Sequence, residues 1–221
     1  MAYRKIPIVK DEIYHVFNRS IAKQPIFLRS KDYQRALEVL KFYLYGKPPI
    51  RFSYYNKLPL KQKSEFLANL TNTKPVVELI GFCLMPNHVH FLLKNLTDNG
   101  INKFMSNFQN SYAKYFNTRE ERSGSVFQQN FKAVRIESDE QLIHVSRYIH
   151  LNPVTSFIIE ANELKDYSWS SYQDYLSGDS QNVSSRLVIE HFKRIEDYEK
   201  FILDQVDYQR KLDQIKHLTF E

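Results

Sequence analysis

The chain has 221 residues, 43% of them apolar and 25% charged, which suffices for a buried core and excludes global disorder. No run reaches the ~20 apolar residues of a membrane span, and the single cysteine, Cys83, excludes an internal disulfide and a multi-cysteine zinc site. Lys and Arg number 31 against 25 Asp and Glu, and since residues 190–221 hold six basic and eight acidic residues, residues 1–189 carry a net charge of +8. Such an excess suits a polyanionic partner, most often nucleic acid. On charge alone, a basic protein without such a partner is equally expected. The charged N-terminus MAYRKIPIVKDE does not read as a secretory signal, so a cytoplasmic, nucleoid-associated location is expected. Five glycines leave no Walker loop and no GxGxxG motif.

Taken in chain order, Tyr14–Asn18 is aromatic and β-branched and predicts a strand. Ser30 is placed to cap a helix over Lys31–Tyr45, where Tyr33, Leu37, Leu40 and Leu44 recur at helical spacing. Gly46-Lys-Pro-Pro49 stops it. Residues 46–75 read as a polar, basic insertion with helical content around Leu60–Leu70. Val76–Met85 and His88–Lys94 predict a hairpin around the Pro86-Asn87 turn. Asn102–Asn117 predicts a helix with Phe104, Phe108, Tyr112 and Tyr115 on one side. A strand follows over Phe131–Ile136, then a helix capped by Ser138 or Asp139 and ended at Asn152-Pro153. The order β-α-β-β-α-β-α is that of an α+β, ferredoxin-like split βαβ fold, an antiparallel sheet with helices on one face. Residues 1–177 form the expected domain, and residues 178–221 a helical C-terminal appendage.

Two local pairs carry chemistry. His88 and His90 stand two apart on a predicted strand, so both imidazoles leave the same face, as a metal chelate requires. Seven histidines in this length make such a pair by chance roughly 0.2 times, so the motif alone is weak. Tyr148 and Asn152 stand four apart on a predicted helix and share its face. Tyr14 and Asn18 have the same separation, but on a strand that is roughly 13 Å, too far to share one ion. Together, two imidazoles and an amide offer three metal ligands with open positions, and a tyrosine one turn away. Nitrogen and oxygen donors suit Mg²⁺ or Mn²⁺ used with phosphate, though imidazole also suits zinc. Tyr112 and Tyr115 are rival nucleophiles, but four residues on they meet only Phe116 and Arg119. His144, one turn before Tyr148, is a candidate for proton transfer, though a surface or packing histidine is the favoured reading.

The stretches YHVFNRSIAKQPIF (14–27), LMPNHVHFLL (84–93), SVFQQNFKAVRIE (125–137), SRYIHLNPV (146–154) and YSWSSYQDYL (167–176) resemble the single-tyrosine HUH transposases, and within them the REP-associated tyrosine transposase-like group. The likeness spans about residues 6–177 in the right order. It implies a dimeric nickase and joiner of single-stranded, hairpin-associated DNA that works through a 5′-phosphotyrosine and needs Mg²⁺ or Mn²⁺. Its nucleophile falls on Tyr148, its HUH histidines on His88 and His90, and its third ligand on Asn152, where many relatives carry glutamine. Arg19, Lys23, Arg29, Lys132, Arg135 and Arg147 are the expected DNA contacts, with Arg4 and Lys5 as a basic arm. Two other readings stand beside it: a domesticated relative that binds hairpins without cutting, and a metal-dependent phosphodiesterase that uses water.

Overall fold

The computed structural model describes residues 7–46, 48–178, 180 and 182–210. Arg4 and Lys5 lie outside these residues. Four strands, β1 (Ile13–Arg19), β2 (Val77–Met85), β3 (His88–Asn95) and β4 (Lys132–Arg135), make one antiparallel sheet in the order β2-β3-β1-β4. With α1 (Ser30–Tyr43) and α4 (Gly100–Arg119), these elements run β-α-β-β-α-β, the ferredoxin-like order. The chain divides into two compact units. The first holds residues 1–78, 86–88 and 93–135, the second 79–85, 89–92 and 136–221.

In the first unit, β1 pairs with β4 in the register Tyr14↔Arg135 to Phe17↔Lys132. Alternation along β1 buries Tyr14, Val16 and Asn18. Helix α1 lies against α4. Its start differs from expectation: Arg29 is the cap residue, and the Asp32 carboxylate accepts the Leu28 and Arg29 amides at 2.9 and 3.0 Å. A carboxylate at the third helical position reaches back and takes over the capping expected of Ser30. Tyr112 is fully buried and donates its hydroxyl to the Ile26 carbonyl at 2.6 Å, and Tyr115 donates to Asp32 at 2.8 Å. Both rival tyrosines therefore serve the α1–α4 core. Between α1 and β2 lie α2 (Phe52–Tyr55), which the sequence reading did not separate from its surroundings, and α3 (Leu60–Thr71).

In the second unit, α5 (Asp139–Thr155) begins with Ser138 Oγ accepting the Gln141 amide at 3.1 Å. It does not stop at Asn152 but carries Pro153 inside its last turn, closing at Phe157 with φ +54°. A proline there forfeits one bond and needs no further turn to stand on it. Asn152 is consequently a helical residue, truly one turn from Tyr148. Short α6 (Tyr172–Ser177) and α7 (Arg186–Ile189) precede α8 (Ile195–Leu203), which packs on α5. Within this unit β2 is tied to the loop after α5: Leu84 N–H donates to Trp169 O at 2.8 Å and Ser171 N–H to Phe82 O at 3.0 Å. Among the described residues, no helix is long and apolar enough to cross a membrane.

Candidate active site

The turn Pro86-Asn87 sets the start of β3, and the first unit holds that turn firmly. Ile26 and Phe27 donate their amides to Pro86 O at 2.7 and 3.0 Å, Ser20 donates to Asn87 O at 2.8 Å, and Asn87 Nδ2 donates to Lys23 O at 3.0 Å. This wrapping brings Arg19 and Lys23, both exposed, to the end of β3 where His88 stands. His88 Nδ1 meets Asn87 Oδ1 at 2.6 Å, and since that amide oxygen can only accept, the proton sits on Nδ1 and the ring lone pair on Nε2. Burial, and then the charge of Arg19, lower the His88 pKa to about 4, which keeps the ring neutral.

His90 follows two residues later on the same face of β3 and is 4% exposed. Within the second unit its ring stands edge-on to Tyr148, with centroids 5.6 Å apart and planes at 85°. Tyr148 is half-buried, so its ring is partly open to solvent. Asn152 donates from Nδ2 to the Tyr148 carbonyl at 2.9 Å. That bond occupies the amide nitrogen and turns Oδ1 into the atom a hard cation would take. Within the second unit, a ring nitrogen of His90 and Asn152 Oδ1 are neutral donors of the kind a divalent ion takes, and in the first unit His88 Nε2 is a donor of the same kind. Among the described residues there is no group of three or more His, Cys, Asp or Glu that could hold a metal ion.

The expected DNA contacts fall into two groups. Arg19, Lys23 and Arg29 are exposed in the first unit. Lys132 lies 5.9 Å from the Phe17 ring, and Arg135 is forked onto Glu12 at 2.5 and 3.1 Å. Arg147 is 8% exposed. Its guanidinium lies 4.1 Å over the Phe201 ring, donates to Phe201 O at 3.3 Å and meets His144 Nδ1 at 2.6 Å. It faces α8, and His144 spends one ring nitrogen on it.

His150 escaped the sequence reading. It is fully buried, with Nδ1 at 2.7 Å from Tyr198 Oη and Nε2 at 2.8 Å from Ser171 Oγ. Burial lowers its pKa to about 3. Its position between Ile149 and Leu151 on the core side of α5 was the one available signal.

The family model described as transposase, IS200-like, matches residues 50–152, a stretch that includes His88, His90, Tyr148 and Asn152. Among solved structures, a REP-associated tyrosine transposase bound to a REP hairpin aligns over 80% of this chain and 86% of its own, with 13% identity and a TM-score of 0.50. A transposase candidate from Deinococcus radiodurans aligns over 66% of this chain and 95% of its own, with 12% identity and a TM-score of 0.37. No curated protein matches the sequence. Residues 50–152 are thus similar in sequence to the IS200-like transposases, and the fold is shared with a REP-associated tyrosine transposase, which supports the resemblance read from the motifs.

Proposed function

We propose that the protein cleaves and rejoins single-stranded, hairpin-associated DNA through a 5′-phosphotyrosine on Tyr148, with His88, His90 and Asn152 holding Mg²⁺ or Mn²⁺. The observation that carries this reading is the meeting of His90, Tyr148 and Asn152 in one unit, with the His90 and Tyr148 rings 5.6 Å apart and Asn152 Nδ2 donating a hydrogen bond of 2.9 Å to the tyrosine's own carbonyl. Hairpin DNA as partner draws support from the fold relative, which was solved with a REP hairpin. A homodimer and a location at the nucleoid belong to the same proposal.

When bound, the divalent ion would neutralise and polarise the scissile phosphodiester, which otherwise repels nucleophiles. The chain's residues supply the rest. The neutral tautomer of His88 presents its lone pair, and Arg19 beside it offers a positive charge to a phosphate oxygen. A free phenol has a pKa of about 10, so Tyr148 must yield its proton as it attacks. Its oxygen bonds to phosphorus, the bond from phosphorus to the 3′-oxygen breaks, and that oxygen leaves as a 3′-hydroxyl on taking up a proton. A second 3′-hydroxyl reverses the step: its oxygen bonds to phosphorus, the tyrosyl bond breaks, and the phenol regains its proton. One phosphoester replaces another each time, so no nucleotide is consumed.

The test is incubation with labelled single-stranded hairpin DNA from beside the gene, with Mn²⁺ or Mg²⁺, followed by denaturing gels. A covalent protein–DNA species is expected that needs metal and vanishes in Tyr148→Phe and His88→Ala. Tight hairpin binding without any adduct would make the protein a non-cleaving binder. Hydrolysed ends without an adduct, untouched by Tyr148→Phe, would make water the nucleophile.

A further inference from the structure

Residues 48–75 of the first unit hold five basic residues and one acidic residue, and the chemistry above gives them no task. Two backbone bonds fix the geometry around α2. Tyr54 N–H donates to Arg51 O at 3.0 Å, and Lys57 N–H donates to Tyr54 O at 3.0 Å. Tyr55 N–H also donates to Arg51 O at 3.1 Å and Asn56 N–H to Phe52 O at 2.8 Å, so the turn is α-helical, and residues three apart share one face of it. Arg51, the extended cap residue before the helix, and Lys57, just past its end, therefore flank Tyr54 in a loose column on that face. Arg51 and Lys57 are exposed, and Tyr54 is 63% exposed. The opposite side of the same turn is fixed in the core. Phe52 stands edge-on 5.2 Å from Phe42, and Tyr55 lies 5.0 Å from Phe42 and 5.4 Å from Phe66. Tyr54 is thus a solvent-facing ring on a rigid mount. Neither flanking cation forms an ion pair among the described residues.

We propose that this column is an accessory contact for single-stranded DNA. The Tyr54 ring stacks on an unpaired base, while Arg51 and Lys57 hold the phosphates on either side. The column spans about 9–12 Å along the turn, and the long arms of its two cations close the remaining distance. An aromatic face between two cations suits a nucleotide better than an acidic peptide, which would need the cations alone. The surrounding excess of positive charge acts in the same direction. This contact rests on the single-stranded-DNA reading above, and the test separates the two.

Binding of the full chain to a labelled, unstructured oligothymidylate is followed by fluorescence anisotropy between 50 and 200 mM salt. Tyr54→Ala is expected to weaken binding at least about fivefold, and Tyr54→Phe, which keeps the face, to bind as the unaltered protein does. Arg51→Gln with Lys57→Gln is expected to flatten the slope of log K against log salt by about 1.4. Unaltered binding in Tyr54→Ala and in the double variant would overturn the column and leave the function standing. Equal loss in Tyr54→Phe and Tyr54→Ala would overturn stacking, and competition by polyglutamate as effective as by oligothymidylate would overturn the choice of partner. No binding by the unaltered protein would remove both readings together.

Discussion

At Asn152, the bond from Nδ2 to the Tyr148 carbonyl decides which atom remains for a cation. The three proposed donors, His88, His90 and Asn152, carry no formal charge, so an ion held by them would keep its full charge for phosphate but would be held weakly until phosphate arrives. Asn152→Asp adds a carboxylate to the set, and titration of Mn²⁺ without DNA is expected to show affinity tightened about tenfold. Unchanged or weaker Mn²⁺ affinity would remove Asn152 from the ligand set. Gly100 bears on the fold instead. A Cβ there would collide with the Val76 carbonyl oxygen and stand 2.8 Å from Asn95 Oδ1, which accepts the Ile101 amide. The collision is with backbone, which cannot swing aside, so Gly100→Ala is expected to lose about 2 kcal/mol or more in a urea titration. A loss below half a kcal/mol would mean that the start of α4 shifts freely. The pairs His88–His90 and Tyr148–Asn152 were legible in the sequence because each is set by the local period of a strand or a helix. His150 and Arg147 were not, because their partners Tyr198 and Phe201 stand 48 and 54 residues away, a distance no periodicity encodes.

Helix α8 illustrates the same limit for a whole element. Its sequence announces an amphipathic helix and nothing of what it covers, and its acidic balance reads only as distance from DNA. In the structure it grips α5 on both sides of Tyr148 in sequence: Tyr198 Oη meets His150, and Phe201 receives Arg147. The elements that depend on local pattern, such as α3, β2 and β3, appear close to where the sequence puts them. The continuation of α5 through Pro153 does not, because proline is incompatible with a helix interior yet tolerable where less than a turn follows. Tyr198→Phe removes one hydroxyl and leaves a buried imidazole nitrogen without its partner, which costs about 1–3 kcal/mol. A fall in melting temperature of about 2–4 °C for each kcal/mol is expected. Because α8 holds the residues beside Tyr148, the rate of adduct formation should fall while hairpin affinity does not. An unchanged melting temperature would show that α8 does not brace α5, and a matching loss of affinity would show that it touches DNA.

Over the whole chain, charge separates the six expected DNA contacts by what each is already doing. Polyanion binding releases counterions in proportion to the phosphates neutralised, so only cations available to phosphate contribute to the salt slope. Arg19 and Lys23 are exposed, on the segment that wraps the Pro86-Asn87 turn, and Arg19 is near enough to His88 to depress its pKa. Arg135 is forked onto Glu12, and Arg147 is buried against Phe201. Replacing Arg19 and Lys23 together with glutamine is expected to flatten the salt slope of hairpin binding by about 1.4 units, two phosphates at the single-strand value. Arg147→Gln is expected to leave that slope unchanged and to lower thermal stability instead, since its guanidinium fills a place in the second unit that glutamine cannot. The measurement is a binding isotherm at four salt concentrations beside a melting curve for each variant. If Arg147→Gln flattened the slope as strongly as the exposed pair, the arginine would have to leave Phe201 on binding DNA, and α8 would have to release it.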